Sequence, residues 1–259
     1  MNKIIARIKN KLARFPIFSE RYCCVCHNKI GFFLPYKGGW KVVSPFLTAL
    51  DLVGSDVDNF SCPCCWSHDR ERHLFLYLEK MGLISKFHQA HILHFAPEAW
   101  ITKIIANKLP AHYVKADLYP TAPDIEKVDM LAIQYPNETF DFVIANHVLE
   151  HVQDELQALA ELYRVLKPGG FAILQTPYSA KLKHTFCDAG IDDDQSRLQS
   201  YGQEDHVRLY GSDIFDRFES VGFVSRVQWH ENILPEIDAK KYGVNKAEPF
   251  FLFEKVQTV

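Results

Sequence analysis

The stretch that most restricts the fold runs from Asp141 to Tyr178, DFVIANHVLEHV and then ELYRVLKPGGFAILQTPY, because it sets two apolar strands around one amphipathic helix. Phe142, Val143, Ile144 and Ala145 form a run of the length expected of a strand covered on both faces. Asn146, His147, Glu150 and His151 follow at its carboxyl end, the end that faces ligands in open α/β sheets. Leu156, Leu159, Leu162, Tyr163 and Leu166 recur at helical spacing, and Pro168, Gly169 and Gly170 stop that helix and turn the chain into FAILQT. The unit is βαβ, the pattern of a nucleotide-cofactor half of an α/β enzyme.

With 259 residues, 47% of them apolar, the chain can hold one large α/β domain and a small appendage. The net charge of −3 is unevenly spread, with Lys3, Arg7, Lys9, Lys11, Arg14 and Arg21 crowded at the start. There MNKIIARIKNKLARF sets Ile4, Ile5, Ile8, Leu12 and Phe15 on one helical side and basic residues on the other. Residues 1–15 therefore suit peripheral contact with an anionic membrane; the alternative is a helix packed on the module that follows, its basic side in water. No apolar stretch is long enough to cross a bilayer and no hydrophobic signal core is present, so a cytoplasmic protein, peripheral at the inner membrane face, is expected.

Six of the seven cysteines fall in two groups, Cys23, Cys24 and Cys26, then Cys62, Cys64 and Cys65, while Cys187 stands alone. Cys23 with Cys26 and Cys62 with Cys65 give two C-x-x-C knuckles, the spacing with which paired thiolates grip a tetrahedral zinc. Four thiolates close the metal's shell, so a structural Zn2+ is expected, with IGFFLPY and WKVVSPFL between the knuckles as short strands. Cys24 and Cys64 remain open as exchange partners. After the second knuckle, SHDRERHLFLYLEKMG reads as a helix with Ser67 as N-cap, and Arg70 and Arg72 either bind an anionic group or are solvated or paired.

HILHF at 91–95 reads as a strand and APEAWITKIIANKL as the helix after it. YVKADLYP closes a second strand on Asp117, where a carboxylate can accept both ribose hydroxyls. That placement marks an adenosine ligand without choosing a cofactor, but the absence of G-x-G-x-x-G counts against a pyrophosphate and hence against NAD.

The LEHV and LKPGG wording resembles class I S-adenosylmethionine-dependent methyltransferases, especially the quinone and small-molecule methylases, over roughly residues 88 to 259. CPCCWSHDRERH, LHFAPE and YGQEDHVRLYG further resemble a bacterial family of methyltransferases with an N-terminal four-cysteine zinc module, although Trp66 replaces that family's usual glycine. The resemblance implies a Rossmann-like seven-stranded sheet. It divides the chain into a basic amphipathic helix (1–20), a zinc-binding module with a linker helix (21–87) and a methyltransferase domain (88–259). It also implies S-adenosyl-L-methionine held by Phe95, Ala96, Pro97, Glu98, Asp117, Leu118, Asp129, Met130, Asn146 and His147, with Asp129 on the adenine amino group and Met130 beside the ring. Most of the class has an acidic residue and G-x-G in the first loop; here His94, Phe95, Ala96, Pro97 and Glu98 stand there.

On the acceptor side, methyl transfer needs an aligned nucleophile and a group to take its proton. His206 in DHVRLYG is the expected general base, with Arg208 and Tyr210 positioning substrate; the alternative is that His206 and Arg208 tie down the preceding connection. Ser212 should cap the next helix, residues 179–203 are a candidate lid, and VSRVQWH and PFFLFEKV read as the last two strands. The expected reaction is methylation of a hydroxyl or amine on a small molecule or glycan, such as a cell-surface saccharide precursor. The alternatives are an RNA base methyltransferase, against which the overall acidity speaks, and a non-catalytic scaffold.

Overall fold

The computed structural model describes residues 3–16 and 20–257; residues 1, 2 and 17–19 of the expected N-terminal segment lie outside the described residues. In chain order the elements are α1 (Lys3–Ala13), β1 (Arg21–Tyr22), β2 (Lys29–Ile30), α2 (Pro45–Ala49), β3 (Leu52–Val53), α3 (Asp69–Lys80), α4 (Leu83–Lys86), β4 (His91–Phe95), α5 (Ala99–Ala106), β5 (His112–Asp117), β6 (Glu126–Lys127) and β7 (Phe140–Ala145). They continue with α6 (Glu155–Val165), β8 (Leu166–Ile173), β9 (Tyr178–Ser179), α7 (Asp194–Tyr201), α8 (Ile214–Glu219), β10 (Val224–Ser225), α9 (His230–Ile233), α10 (Ala239–Tyr242) and β11 (Leu252–Glu254). Seven strands form one sheet in the order β10-β11-β8-β7-β4-β5-β6, parallel except for β11, which is antiparallel to both its neighbours. This is the expected seven-stranded, Rossmann-like class I methyltransferase sheet.

Alternation along the central strands sends side chains to two cores. Ile92, Phe142, Ile144 and Ile173 pack with Leu74 and Leu78 of α3 and Ile101 and Ile105 of α5. Leu93, Val143, Ala145 and Ala172 pack with Leu159 and Leu162 of α6 and Ile214 and Phe218 of α8. The helix after the second knuckle is thus one of the layers covering the sheet, and the packing crosses the expected boundary at residue 87.

A buried guanidinium makes the same junction. Arg72 donates to the carbonyls of Asn59, Phe60 and Ser67 in the cysteine module and of Tyr242 and Gly243 at the C-terminal end of α10, with the Phe33 ring 4.0 Å away. With its donors spent on backbone, it is not the anion-binding residue considered from sequence. Removing it would strand five carbonyls in the interior, a loss of about 3–5 kcal/mol by analogy with broken buried charge pairs.

Local expectations fail where a stronger partner competes. WKVVSPFL is helical, because Ser44 accepts the Leu47 amide and Pro45 occupies the first turn of α2. Ser67 turns its hydroxyl to the cysteine sulfurs, so His68 takes the N-cap and its amide donates to Glu71. Asp213, not Ser212, stands at the N-cap of α8. Residues 179–203 are anchored: β9 pairs with β3, and Leu47 of α2, Tyr201 of α7 and Leu209 share a small core. No helix among the described residues is long and apolar enough to cross a membrane.

Asp69 opens α3 fully buried, with Oδ2 accepting the Asp56 amide at 2.5 Å and Oδ1 without a partner. Burial pushes its carboxyl up to about 7, outweighing the attraction of Arg72 and Arg70. A folded pKa above the unfolded one contributes stability that is complete below about pH 4 and lost as pH rises through about 7. Asp69→Asn keeps an acceptor for the Asp56 amide and carries no charge. Urea unfolding should find it more stable than the parent near pH 8.5, by about 4 kcal/mol at most, with the difference shrinking as pH falls through 7 and gone only below about pH 4.

Candidate active site

The expected cofactor residues lie along the carboxyl ends of the adjacent strands β7, β4, β5 and β6. Phe95 ends β4 and Ala96 follows with φ 45°, the left-handed region where a glycine would sit without strain. Glu98 is the N-cap residue of α5; one oxygen meets His94 Nε2 at 2.9 Å and the other accepts the Asn146 amide at 2.5 Å. Burial opposes its charge, but the His94 contact outweighs burial and holds the carboxyl below its ordinary value. His94, named in the sequence only as part of the altered loop, thus locks that loop to the end of β7 through Glu98. Asp117 ends β5 half-buried, its Oδ1 accepting the Tyr119 amide at 2.8 Å, and Leu118 is exposed. Val128 donates to the Asp117 carbonyl at 3.0 Å, which sets Asp129 and buried Met130 beside it.

His147 points elsewhere. With φ 56° it faces a network on the other side of β7: Nε2 is 3.1 Å from Glu248 Oε1 and Nδ1 is 3.5 Å from Glu150 Oε1. Burial and the Arg70 charge work against its imidazolium, yet the two carboxylates raise its pKa overall. Burial likewise opposes charge on Glu150, but His147 and the neighbouring histidines bring it down to about 2. His73 lies 3.8 Å from the second Glu248 oxygen and 2.9 Å from His230. His147 is thus held between two buried carboxylates and lines the neighbouring cavity.

That cavity, of about 190 Å³, opens between the cysteine module and residues 198–206, lined among others by Tyr36, Trp40, Phe60, Arg70, His147 and His206. Arg70 is half-buried and faces no carboxylate at ion-pair distance among the described residues. His206 is buried; its Nδ1 donates to the Tyr201 carbonyl at 2.9 Å, and Nε2 has no hydrogen-bond partner. Burial lowers its pKa, which keeps the imidazole neutral.

Both expected substrate-positioning residues are engaged with the protein itself. Arg208 is buried and donates to the carbonyls of Leu149, Val152 and Gln153 while pairing with Glu155 at 3.0 Å. Tyr210 is fully buried, its hydroxyl on the Leu149 carbonyl. Both clamp the turn after β7.

The four expected metal ligands converge. Cys23 Sγ and Cys65 Sγ are 3.7 Å apart and Cys26 Sγ and Cys62 Sγ 3.9 Å, and all four sulfurs lie within 4.8 Å of one another. A tetrahedral zinc with bonds of about 2.3 Å sets its sulfurs about 3.8 Å apart, so the donors fit. Cys64 donates its backbone amide to Cys62 Sγ, and Asn28 donates to Cys26 Sγ. Cys24 faces away, buried in the second core with its sulfur near the Arg72 carbonyl.

A family described as "Methyltransferase domain" matches residues 98–174, the stretch from Glu98 through β8. The demethylmenaquinone methyltransferase of Lysinibacillus sphaericus is 40% identical over 60 residues, covering 22% of this chain and 26% of that protein. The malonyl-[acyl-carrier protein] O-methyltransferase of Halorhodospira halophila is 27% identical over 122 residues, 47% of this chain and 36% of the relative. The chain thus spans about a quarter to a third of those relatives' length. Among solved structures, a putative S-adenosylmethionine dependent methyltransferase from Listeria monocytogenes aligns with TM-score 0.46 and 14% identity, over 71% of this chain and 100% of that one. The matched stretch, residues 98–174, is similar to a methyltransferase domain, and the seven-stranded sheet that contains it has the class I methyltransferase strand order.

Asp117 is the expected acceptor for two ribose hydroxyls, and Asp117→Ala removes its carboxylate without touching the core. Calorimetric titration with S-adenosylmethionine should show at least about tenfold weaker binding, 1.4 kcal/mol or more, with unchanged thermal unfolding of the free protein.

Proposed function

We propose that this protein transfers a methyl group from S-adenosylmethionine to a hydroxyl or amine of a small, polar, anionic acceptor, of which a glycan or saccharide precursor is the best-fitting class. The observation that carries the proposal is the cavity beside His147. It adjoins the strand ends that bear Asn146 and Glu98, mixes aromatic with polar walls, and presents Arg70 without an acidic partner. Stacking surfaces such as Tyr36 and Trp40 suit a sugar ring, and an unpaired guanidinium suits a carboxylate or phosphate upon it. The acceptor oxygen or nitrogen attacks the methyl carbon in line, and the C–S bond breaks with its electron pair passing to sulfur. Alignment supplies much of the rate, and proton removal centres on His206.

In the same proposal Cys23, Cys26, Cys62 and Cys65 hold a structural Zn2+, which braces the wall of the cavity that the cysteine module supplies. The N-terminal helix rests on an anionic membrane surface: Ile8, Leu12 and Phe15 are 54%, 60% and 59% exposed, beside exposed Arg7, Lys9 and Lys11. Ala13 is buried and accepts the Gly31 amide, so the end of this helix is docked while that apolar side is not.

Methyl transfer to a panel of saccharides with and without a carboxylate or phosphate tests the reading. Turnover confined to anionic acceptors is expected. Arg70→Gln should raise KM for them about tenfold or more with cofactor affinity unchanged, and His206→Ala should lower kcat by about 10²–10⁴-fold. An Arg70→Gln enzyme with an unaltered KM would remove the anion from the proposal.

Metal analysis of protein purified without added zinc should give zinc bound at the four cysteines. Cys62→Ser should lose it together with several degrees of melting temperature. An equally stable, metal-free parent would overturn the zinc assignment.

A further inference from the structure

Behind the cavity wall lies a cluster that neither the cofactor residues nor the cysteine module uses. Glu150 and His151 sit on the turn after β7, and His206 comes from the loop after α7; one donor atom from each lies within 4.8 Å of the others. The protonation pattern is constrained. His206 Nδ1 donates to the Tyr201 carbonyl, so in the neutral ring Nε2 is a bare lone pair. That lone pair is buried, unpartnered and 3.9 Å from Glu150 Oε1, too far for a hydrogen bond. Glu150 Oε2 is also buried and unpartnered, although the residue is only 1% exposed. The His151 ring stands edge-on to His206, 4.7 Å between centroids, and its Nδ1 is 3.2 Å from Asp205 Oδ2. Glu150 Oε1 faces His147 Nδ1 at 3.5 Å, but Glu150 Oε2 and His206 Nε2 remain buried acceptors without a donor, and a cation between carboxylate and ring would satisfy both.

We propose that Glu150, His151 and His206 form a second metal site, distinct from the four cysteines, for a divalent transition cation. Two imidazoles and a carboxylate are the donors that zinc, cobalt, manganese and ferrous iron share. A metal with bonds near 2.1 Å sets neighbouring ligands about 3.0–3.4 Å apart, so His206 and Glu150 need approach by only about half an ångström or slightly more. Three protein ligands leave coordination positions free, and His206 also lines the cavity. Cysteine closes the first site; this one stays open.

The assigned role deepens the proposed function and rests on reading the cavity as the acceptor side; the ion binding itself does not. An acceptor hydroxyl bound to the cation loses its proton to water. The oxygen lone pair then forms the bond to the methyl carbon as the C–S bond breaks onto sulfur. With the ion present His206 serves as a ligand, and without it as the proton acceptor.

Cobalt(II) titration of the full chain, with neither methyl donor nor acceptor present, tests the site. The expected spectrum has two components: one equivalent with thiolate charge-transfer bands, and one further equivalent with only the weaker bands of nitrogen and oxygen ligation. Glu150→Gln and His151→Ala should each weaken the second component at least tenfold and leave the first intact. His151 is partly exposed, so its variant keeps the test open should the buried Glu150 variant misfold. A parent that binds no nitrogen–oxygen equivalent, or one that both variants retain, overturns the second site and leaves His206 as a simple base. Because no methyl transfer is measured, this failure is separate from failure of the methyltransferase reading.

Discussion

The joint made by Arg72 is the constraint on which the site depends. Its guanidinium lies among carbonyls of the cysteine module on one side and of residues 242 and 243 on the other, with the Phe33 ring against it. A desolvated cation of this kind is tolerated only when every donor is satisfied, and the geometry that satisfies it admits one orientation of the module against the sheet. That orientation brings Tyr36, Trp40 and Phe60 opposite His147 and His206. The β3–β9 ladder then fixes the rest, since it pairs a module strand with the chain that leaves the sheet after β8. The cavity is therefore a property of the docked module, and neither part contains it alone.

The central sheet was legible because a strand covered on both faces must be continuously apolar, and HILHF and FVIA satisfy that without long-range information. The convergence of the four cysteines was legible for a similar reason, since two residues between cysteines is the local spacing of a thiolate knuckle. The cavity was not. His147 meets Glu248, 101 positions later, and Arg72 meets Gly243, 171 positions later; no periodicity encodes such pairings. Caps failed for a different reason, because a hydroxyl such as that of Ser67 goes to the strongest nearby partner, here a cluster of sulfurs. The backbone partners of Arg208 and Tyr210 were not legible either, because residues that clamp a loop carry the same chemistry as residues that touch a substrate.

The first loop shows how the glycine-rich rule can be broken. Glycine normally supplies a positive φ and close approach to the ligand. Here Ala96 takes the left-handed backbone itself, a cost of order 1 kcal/mol, and the conformation is held because Glu98 is gripped by His94 beneath and Asn146 beside it. The sulfonium donor has no phosphate to be cradled by free amides, so a loop that ends in an ionised carboxylate is compatible with its positive charge. The same loop would repel a pyrophosphate.

Asn146 and His147 are consecutive, yet they serve opposite sides of the strand end. A residue with φ 56° breaks the alternation that would otherwise govern the chain, and His147 is held there by its amide on the Gln175 carbonyl and by carboxylates at both ring nitrogens. A single left-handed residue, fixed by buried charge, lets six residues from Asn146 to His151 reach the Glu98 loop, the cavity wall and the Glu150 cluster. Replacing the charges around His147 should therefore disturb both faces together, because the backbone turn that separates them depends on those charges.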